Sequence, residues 1–452
     1  MKRIGVVLVL GSLMLGSCGI YRKYERTVEI PENVYGVQQV DQGRNVAEVG
    51  WKEMFTDAGL QTLIGTALES SADVKTALLR VKQAEITHKT SRLAYLPTVA
   101  FSPVVQAGKI GSQDAQIDYG IGVQASWQLD IFSGRITNAR RKAKASAEYA
   151  KDLKQAIECR LISSVATLYY ELLTLDRQVE IQKEMIQLYE KTYESVKTLY
   201  ESGQYLSPAV NQTRAQLEQL QVDLIDMEND IIFTEHALCE LLDEPYHHVE
   251  RGKLSDVALT QNLGVGIPAD LLRLRPDVRA AERNIEMAYY DVQMDKGAMY
   301  PTITLSATGG WGSLVSGLLT DPKLWFIQGV GSLVQPLFMG GQLRANLKIS
   351  RMSQQIAVEE FRSTVIKAGH EVTNALSRCE MLRKKEPHIA AQVEAMEETV
   401  MANQELMNHG TSTYLEVLTS LQDLLKAQNM QVANKAEGLK AQVELYSALG
   451  GK

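Results

Sequence analysis

The 452-residue chain is short of cysteine, with four: Cys18, Cys159, Cys239 and Cys379. None lies close enough to another to form a C-x-x-C pair. The three beyond the N-terminus are an odd set, so the sequence holds neither a disulfide framework nor a zinc site. Each of the three falls in a helical pattern and reads as a small buried hydrophobe. Also missing are a glycine-rich phosphate loop, a G-x-S-x-G elbow and an H-E-x-x-H helix, which removes the usual signatures of nucleotide, hydrolase and zinc-protease chemistry. The adjacent His247-His248 sit on a polar loop and read as solvated rather than as ligands. A formal charge of −7 argues against a nucleic-acid partner. Beyond residue 20 no apolar run approaches the ~18 residues of a membrane-spanning helix. Membrane contact, if there is any, falls to strands or to a lipid.

What is present begins with a leader. Lys2 and Arg3 precede an apolar run from Ile4 to Leu15, which is too short to span as a helix and reads as a signal peptide over 1–17. It ends in Leu15-Gly16-Ser17-Cys18, which resembles a bacterial lipobox with its two small middle residues in unusual order. Cleavage before Cys18 and a fatty-acyl (palmitate) lipid on its sulfur are expected. That covalent lipid is the only cofactor foreseen. Gly19 follows, rather than the Asp that retains lipoproteins in the inner membrane of enterobacteria, so outer-membrane sorting is expected.

The rest of the chain is one unit written twice. Asp73-Val74 and Pro97-Thr98-Val99 recur as Asp277-Val278 and Pro301-Thr302-Ile303, at an offset of 204. Gln128, Gly134, Gly203, Val210 and Leu217 recur as Gln335, Gly341, Gly410, Val417 and Leu424, at an offset of 207. A duplication of this kind is an organising signal. The expected layout is a lipidated segment over 18–54, a first repeat over 55–245, an equatorial linker over 246–268 and a second repeat over 269–452. The first repeat carries a β-hairpin over 98–131 and a long coiled hairpin over 135–244. The second carries a helix over 276–299, a β-hairpin over 302–338 and a long coiled hairpin over 341–449.

The strand signal is clearest in YGIGVQASWQLDIF, Tyr119 to Phe132. Tyr119, Ile121, Val123, Ala125, Trp127, Leu129 and Ile131 alternate with small or polar residues, a period of two with one apolar face. The length suits a strand that crosses a bilayer, ~9–11 residues. The counterpart from Trp325 to Phe338 alternates less cleanly. The helical signal is a heptad seam. Leu161, Val165, Leu168, Leu172, Leu175, Val179, Ile186 and Tyr189 step by four and three with Gln182 as the polar exception, and the second repeat keeps the seam except at Glu386 and Asn403. A strict 3.5-residue period imposes a left-handed supercoil. A helix from about Arg135 to Ser202 is ~100 Å long at ~1.5 Å per residue, which makes an elongated molecule.

Strands in a bilayer must close into a barrel so that every backbone group is paired. Four strands are too few, since about eight is the practical minimum. Closure therefore needs two or three chains, and three leave a lumen. Gly120, Gly122, Gln124, Ser126 and Gln128 are the small, polar face such a lumen wants.

At this point the residues carry a family resemblance. Leu271 to Leu305, with Arg275-Pro276-Asp277-Val278-Arg279 at its centre, resembles the hallmark of TolC-like outer-membrane efflux proteins, and the lipobox is similar to that of the OprM/NodT lipoprotein branch. LDIFSGR (Leu129 to Arg135) and QPLFMGG (Gln335 to Gly341) match its strand-to-helix turns. The resemblance implies a mainly α fold with a membrane β-barrel, in which a homotrimer builds a twelve-stranded barrel continuing into a twelve-helix tunnel. It implies a passive exit duct and no catalysis, held in the outer membrane of a Gram-negative bacterium and reaching into the periplasm. The implied partners are outer-membrane lipid, a periplasmic adaptor and an inner-membrane pump of the RND type. By the same resemblance the helix turns at Gly203 and Gly410 form the tip. Glu416 stands at one acidic position of the family's narrowing and Thr419 replaces the other, with Tyr414 and Leu415 as bulky constrictors; a solvated surface Glu is the alternative for Glu416. Gly203, Ser207 and Gly410 are the adaptor-contact candidates. Arg275 and Asp277 read as structural. Rivals within the fold are a type I protein-secretion duct and a heavy-metal efflux duct. A rival of another class is a lipid-tethered periplasmic coiled coil.

Overall fold

The computed structural model describes residues 20–26, 50–108, 116–257, 274–312, 325–409 and 411–451. The leader, Cys18, Gly410 and part of the linker lie outside the described residues. In chain order the elements are α1 (Trp51–Met54), α2 (Ala58–Ser70), α3 (Ala72–Ser91), β1 (Thr98–Gly108), β2 (Gln116–Leu129), α4 (Arg135–Glu201), α5 (Ser207–Leu242), α6 (Pro276–Gly297), β3 (Thr302–Gly312), β4 (Trp325–Val334), α7 (Gln342–Asn408) and α8 (Tyr414–Ala448). Among the described residues no helix is long and apolar enough to cross a membrane. The chain divides into two compact units, one of Met1–Glu29, Leu79–Asp152 and Ala280–Ser363, the other of Ile30–Leu78, Leu153–Arg279 and Thr364–Lys452.

The first unit holds one antiparallel sheet in the order β1-β2-β3-β4. Its register resolves the blurred alternation of the last strand. Val123 faces Phe101 on β1 and Gly309 on β3, Trp127 faces Leu305, and Trp311 faces Trp325. Partners across a ladder share a face, so one whole face reads Val99, Phe101, Ile121, Val123, Ala125, Trp127, Ile303, Leu305, Trp311, Trp325, Ile327 and Leu333, without a charge. The other carries Ser102, Gln124, Ser126, Gln128, Thr304, Ser306, Thr308, Gln328 and Ser332. Strand β4 looks irregular because Gly329 and Gly331 fall on its apolar face while Phe326, Val330 and Val334 fall on its polar one. Trp127, whose Nε1 donates to Tyr95 O at 2.8 Å, lies toward one end of that face and the Trp311–Trp325 pair lies at the other. Tryptophans at both rims of an apolar band are what membrane interfaces select.

The strand expected to run to Phe338 ends at Val334. Gln335-Pro336 follows, and proline cannot donate to a ladder. The Gln335 side chain turns away to give Nε2 to Met299 O at 2.8 Å. Likewise β2 ends at Leu129, because Asp130 turns from strand to cap. Its carboxylate accepts from Thr137 N and Thr137 Oγ1, both at 2.8 Å, and from Ser133 Oγ at 2.9 Å. This satisfies first-turn donors of α4, and Gly134 makes the turn with φ 59°. The segment from Ile20 lies over this turn. Asn138 Nδ2 donates to Ile20 O at 3.0 Å, Arg141 Nη1 to Tyr21 O at 2.8 Å, and Tyr21 Oη to Asp130 O at 2.7 Å. In the second repeat Leu337 stands where Asp130 does, and Leu337 and Phe338 are 93% and 88% exposed.

The second unit is built on the heptad seam. Val165, Leu172, Val179, Ile186, Tyr189 and Val196 are buried, as are Val372, Leu382, Ile389, Val393, Val400 and Met407 on α7. The polar exception Gln182 is buried too, and its Nε2 donates to Leu220 O at 2.8 Å. Glu386 is exposed, and beside it Pro387 sits inside α7 without interrupting it. Cys159 and Cys239 are buried and Cys379 is half-buried, all as free thiols. His248 is exposed, with Nδ1 2.8 Å from the buried Glu235, which also binds Arg251.

The hallmark motif is a structural joint. Pro276 opens α6, as a residue without an N–H suits a first turn. Buried Arg275 forks onto Asp277 (Nε–Oδ1 3.0 Å, Nη2–Oδ2 2.7 Å), reaches Glu371 Oε2 at 2.7 Å, and gives Nη1 to Ala448 O at 2.7 Å, the last carbonyl of α8. Burial alone pushes the Asp277 carboxyl up, but the guanidinium outweighs it and holds the group below its ordinary value.

Candidate functional site

The two turns at the ends of the long helices share one hydrogen bond at equivalent positions. After α4, Gly203 takes the left-handed conformation, φ 79°. Gly203 N donates to Tyr200 O at 3.0 Å and Gln204 N to Leu199 O at 2.9 Å. That is the Schellman pattern, which needs a residue free of a β-carbon at the left-handed position. Gly203 and Ser207 are exposed, and Leu206 projects at 78% exposure. Asn211 Nδ2 donates to Ser207 Oγ at 3.3 Å. After α7 the hydrogen bond from Thr411 N to Leu406 O, 2.9 Å, repeats the one from Gln204 to Leu199.

The start of α8 carries a reciprocal cap. Glu416 N donates to Thr413 Oγ1 at 3.4 Å while Thr413 N returns a bond to Glu416 Oε2 at 2.7 Å. Ser412 Oγ and Thr413 Oγ1 also donate to that oxygen, at 2.7 and 3.0 Å. The Thr413 N–H first, then the two hydroxyls, hold the Glu416 carboxyl below its ordinary value, so it is an anion at neutral pH. Leu415, Glu416 and Thr419 are exposed on the first turns of α8. Tyr414 is half-buried and points to the other turn: its N–H donates to Tyr205 Oη at 3.2 Å, its hydroxyl to Gln212 Oε1 at 3.3 Å, and the two tyrosine rings meet edge to face at 5.5 Å. Below them Tyr189, Val196, Ala209, Leu220, Met407, Val417 and Leu421 form a shared core.

The structure thus brings Tyr414, Leu415, Glu416 and Thr419 onto one helix start, with Gly203 and Ser207 on the turn tied to it through Tyr205. Tyr205 and Gln212 were not singled out by sequence, since one tyrosine in a loop carries no signal. Nor was Thr413 singled out, although Thr413-x-x-Glu416 has the spacing of a capping box.

The outer membrane efflux protein family matches residues 63–243 and 267–451, both repeats. The chain belongs to this family. It is 25% identical over 448 residues to the cation efflux system protein CusC of Escherichia coli O6:H1, covering 97% of each chain. It is 24% identical over 414 residues to the probable outer membrane lipoprotein SilC of Salmonella typhimurium, covering 89% of this chain and 88% of that one. Its fold matches the open-state outer membrane channel MtrE of Neisseria gonorrhoeae with a TM-score of 0.85 at 25% identity, over 95% of this chain and 97% of that one. The protein is therefore an outer-membrane channel of a tripartite efflux system in a Gram-negative bacterium, and the sheet described above is its membrane part.

Proposed function

We propose that three copies join their four-stranded sheets into one twelve-stranded barrel, with the long helices lining a periplasmic tunnel, and that the assembly is a passive exit duct without catalysis. The observation that carries this is the sheet itself. One face is wholly apolar and rimmed with tryptophan, yet β1 and β4 each end the sheet, and an open edge cannot stand in hydrocarbon. The exposed turns at Gly203 and Ser207, with Gly410, take the periplasmic adaptor, and an inner-membrane pump of the RND type drives export. Tyr414 and Leu415 narrow the tunnel, and three Glu416 carboxylates beside Thr419 draw cations to it. Cys18 carries a lipid.

Native mass spectrometry of the membrane-extracted protein should show three chains, and planar bilayers should show small, cation-preferring channels. A monomer, or no conductance, would refute this assembly. The name of the CusC relative supports cation export as the alternative to export of small organic molecules. Export assays with metal ions and with drugs, in cells carrying the cognate pump, separate the two.

A further inference from the structure

We propose that the first turns of α4 and α7 form a basic belt that docks on anionic phospholipid headgroups, in the leaflet that meets the Trp127 rim of the apolar face. The inference rests on the sheet being the membrane part of the channel. It does not depend on how many copies close the barrel.

The chain as a whole is acidic, with a formal charge of −7, so the places where its cations gather are informative. The first ten residues of α4, Arg135 to Lys144, hold five basic residues, and the first ten of α7, Gln342 to Arg351, hold three. Neither stretch contains a carboxylate; the first ones come at Glu148 and Glu359. A helix start is the positive end of its dipole and favours acidic residues, yet neither first turn has one. Arg135 and Arg344 stand there instead. Two of these eight cations are used inside the chain. Lys142 Nζ bonds both carboxylate oxygens of Asp291, at 2.7 and 2.8 Å, and Arg141 holds the carbonyl oxygens of Tyr21 and Arg22. The other six, Arg135, Arg140, Lys144, Arg344, Lys348 and Arg351, are exposed, and none of them forms an ion pair among the described residues. Lys348 takes the repeat position of Arg141, but no carbonyl holds it among the described residues. Lys296, at the end of α6, is half-buried, and burial first, then the Arg351 guanidinium, push its ammonium below the ordinary value. Cations crowd one another here, and an outside anion relieves that repulsion.

The height of the belt selects the anion. Strand β2 ends at Leu129, close to Trp127, and α4 starts at Arg135; β4 ends at Val334 and α7 starts at Gln342. At ~1.5 Å per residue, Arg140 and Lys348 lie about 8–9 Å along their helices, and Lys144 and Arg351 about 14 Å. The headgroup layer of a bilayer is about 5–8 Å deep on each side of the hydrocarbon. Side chains of a helix lean toward its N-terminus, which here is toward the sheet. The long arginine and lysine stems therefore reach back to that layer while their heads stay wet. The remoter pair acts across the ~8 Å over which charges are felt at physiological salt. Clusters of basic residues next to a membrane segment are the usual partners of anionic lipid, and the phosphates of the adjoining leaflet are held at this height at high local density.

The test uses the full-length protein in detergent, titrated with phosphatidylglycerol or with phosphatidylethanolamine, and counts bound lipid by native mass spectrometry. The parent should retain the anionic lipid in preference. Changing Arg344, Lys348 and Arg351 together to Gln should cut that preference at least tenfold, since one basic residue beside an anionic surface is worth about fivefold. Lys348→Arg should leave it intact, and helical circular dichroism checks that each variant is folded. The pair Arg135→Gln and Lys144→Gln repeats the test at the other helix start. Equal retention of both lipids by the parent, or a preference unchanged in the neutralised variants, would overturn the belt. Reversal potentials in planar bilayers should be the same for the parent and the triple variant; a shift toward cations would place the three residues in the lumen and overturn the lipid. Displacement of phosphatidylglycerol by inorganic phosphate, with chloride at equal ionic strength as the control, would make the surface a site for free anions and overturn it too. A parent that retains the anionic lipid yet neither conducts nor forms trimers would sink the assembly and support the belt.

Discussion

Two helical glycines should respond in opposite directions to the same methyl group. Gly65 lies inside α2, and a β-carbon built on it meets nothing within 4 Å. Alanine there removes backbone freedom from the unfolded chain and should stabilise by about 0.5–1 kcal/mol. Gly297 is the last residue of α6, where the gain is smaller, and its β-carbon would lie 2.0 Å from Ser133 O and 3.0 Å from Ser133 C. Those atoms are backbone in the turn that starts α4, so they move only if the turn moves. Overpacking of this kind costs about 1–3 kcal/mol, which exceeds the helical gain, and Gly297→Ala should destabilise by about 1–2 kcal/mol. Unfolding entropy of ~2.1 cal/mol/K per residue over 452 residues makes each kcal/mol worth only about 1 °C if the whole chain melts together. The decisive comparison is therefore between the variants, by thermal loss of helical circular dichroism in detergent, with hydrogen exchange at residues 135–141 as the local readout. Gly297→Ala that melts at or above the parent, with unchanged exchange there, would refute the close approach. Gly65→Ala that melts lower would refute the open space.

Further outcomes follow from the same geometry. Glu416→Gln should keep the cap, since glutamine can still accept from Thr413 N, yet weaken cation preference in planar bilayers, with Glu386→Gln as the control; unchanged selectivity would show that Glu416 faces away from the lumen. Changing Tyr414 and Leu415 to Ala should raise single-channel conductance, and an unchanged value would move the constriction elsewhere. Because the Asp277 carboxyl is held below its ordinary value, its contribution is present above about pH 4 and disappears as pH falls through the lowered value. The denaturation midpoints of the parent and Asp277→Asn should then converge on acidification, and a gap that widens would contradict the sign. Cys18→Ser should abolish fatty-acid labelling, and label that persists would place the lipid elsewhere.

How far the sequence could be read depended on which force set each feature. The apolar face of β2 was plain because every second residue from Tyr119 to Leu129 is apolar. In β4 two glycines on the apolar face and Phe326, Val330 and Val334 on the polar one hid the same period, and only pairing with β3 reveals it. Leu337 and Phe338 extend the apolar pattern past the strand to Phe338, but they lie in the turn after it and are exposed in the single chain. The seam on α4 was legible through its polar exception, since Gln182 is buried with a partner supplied by α5, which no local pattern announces. Pro387 would argue for a break, but the long flanking helix carries across one missing donor. At the tip, the glycine of the first turn and the cap residues are local chemistry, whereas the reach of Tyr414 to Tyr205 spans 209 positions of sequence and belongs to the tertiary structure alone.

The clasp on the N-terminal segment also fixes where a mechanical load would go. Asn138 and Arg141 hold the carbonyl oxygens of Ile20, Tyr21 and Arg22, so they grip main chain, while the Tyr21 hydroxyl on Asp130 O and the buried Ile20 side chain add a grip that depends on sequence. A pull toward the amino terminus is borne at Ile20 by the first turns of α4, a stiff helix, before it can reach the edge-on hydrogen bonds of the sheet. The sheet is thereby insulated from a load on that segment, at a joint shared between main-chain and side-chain bonds.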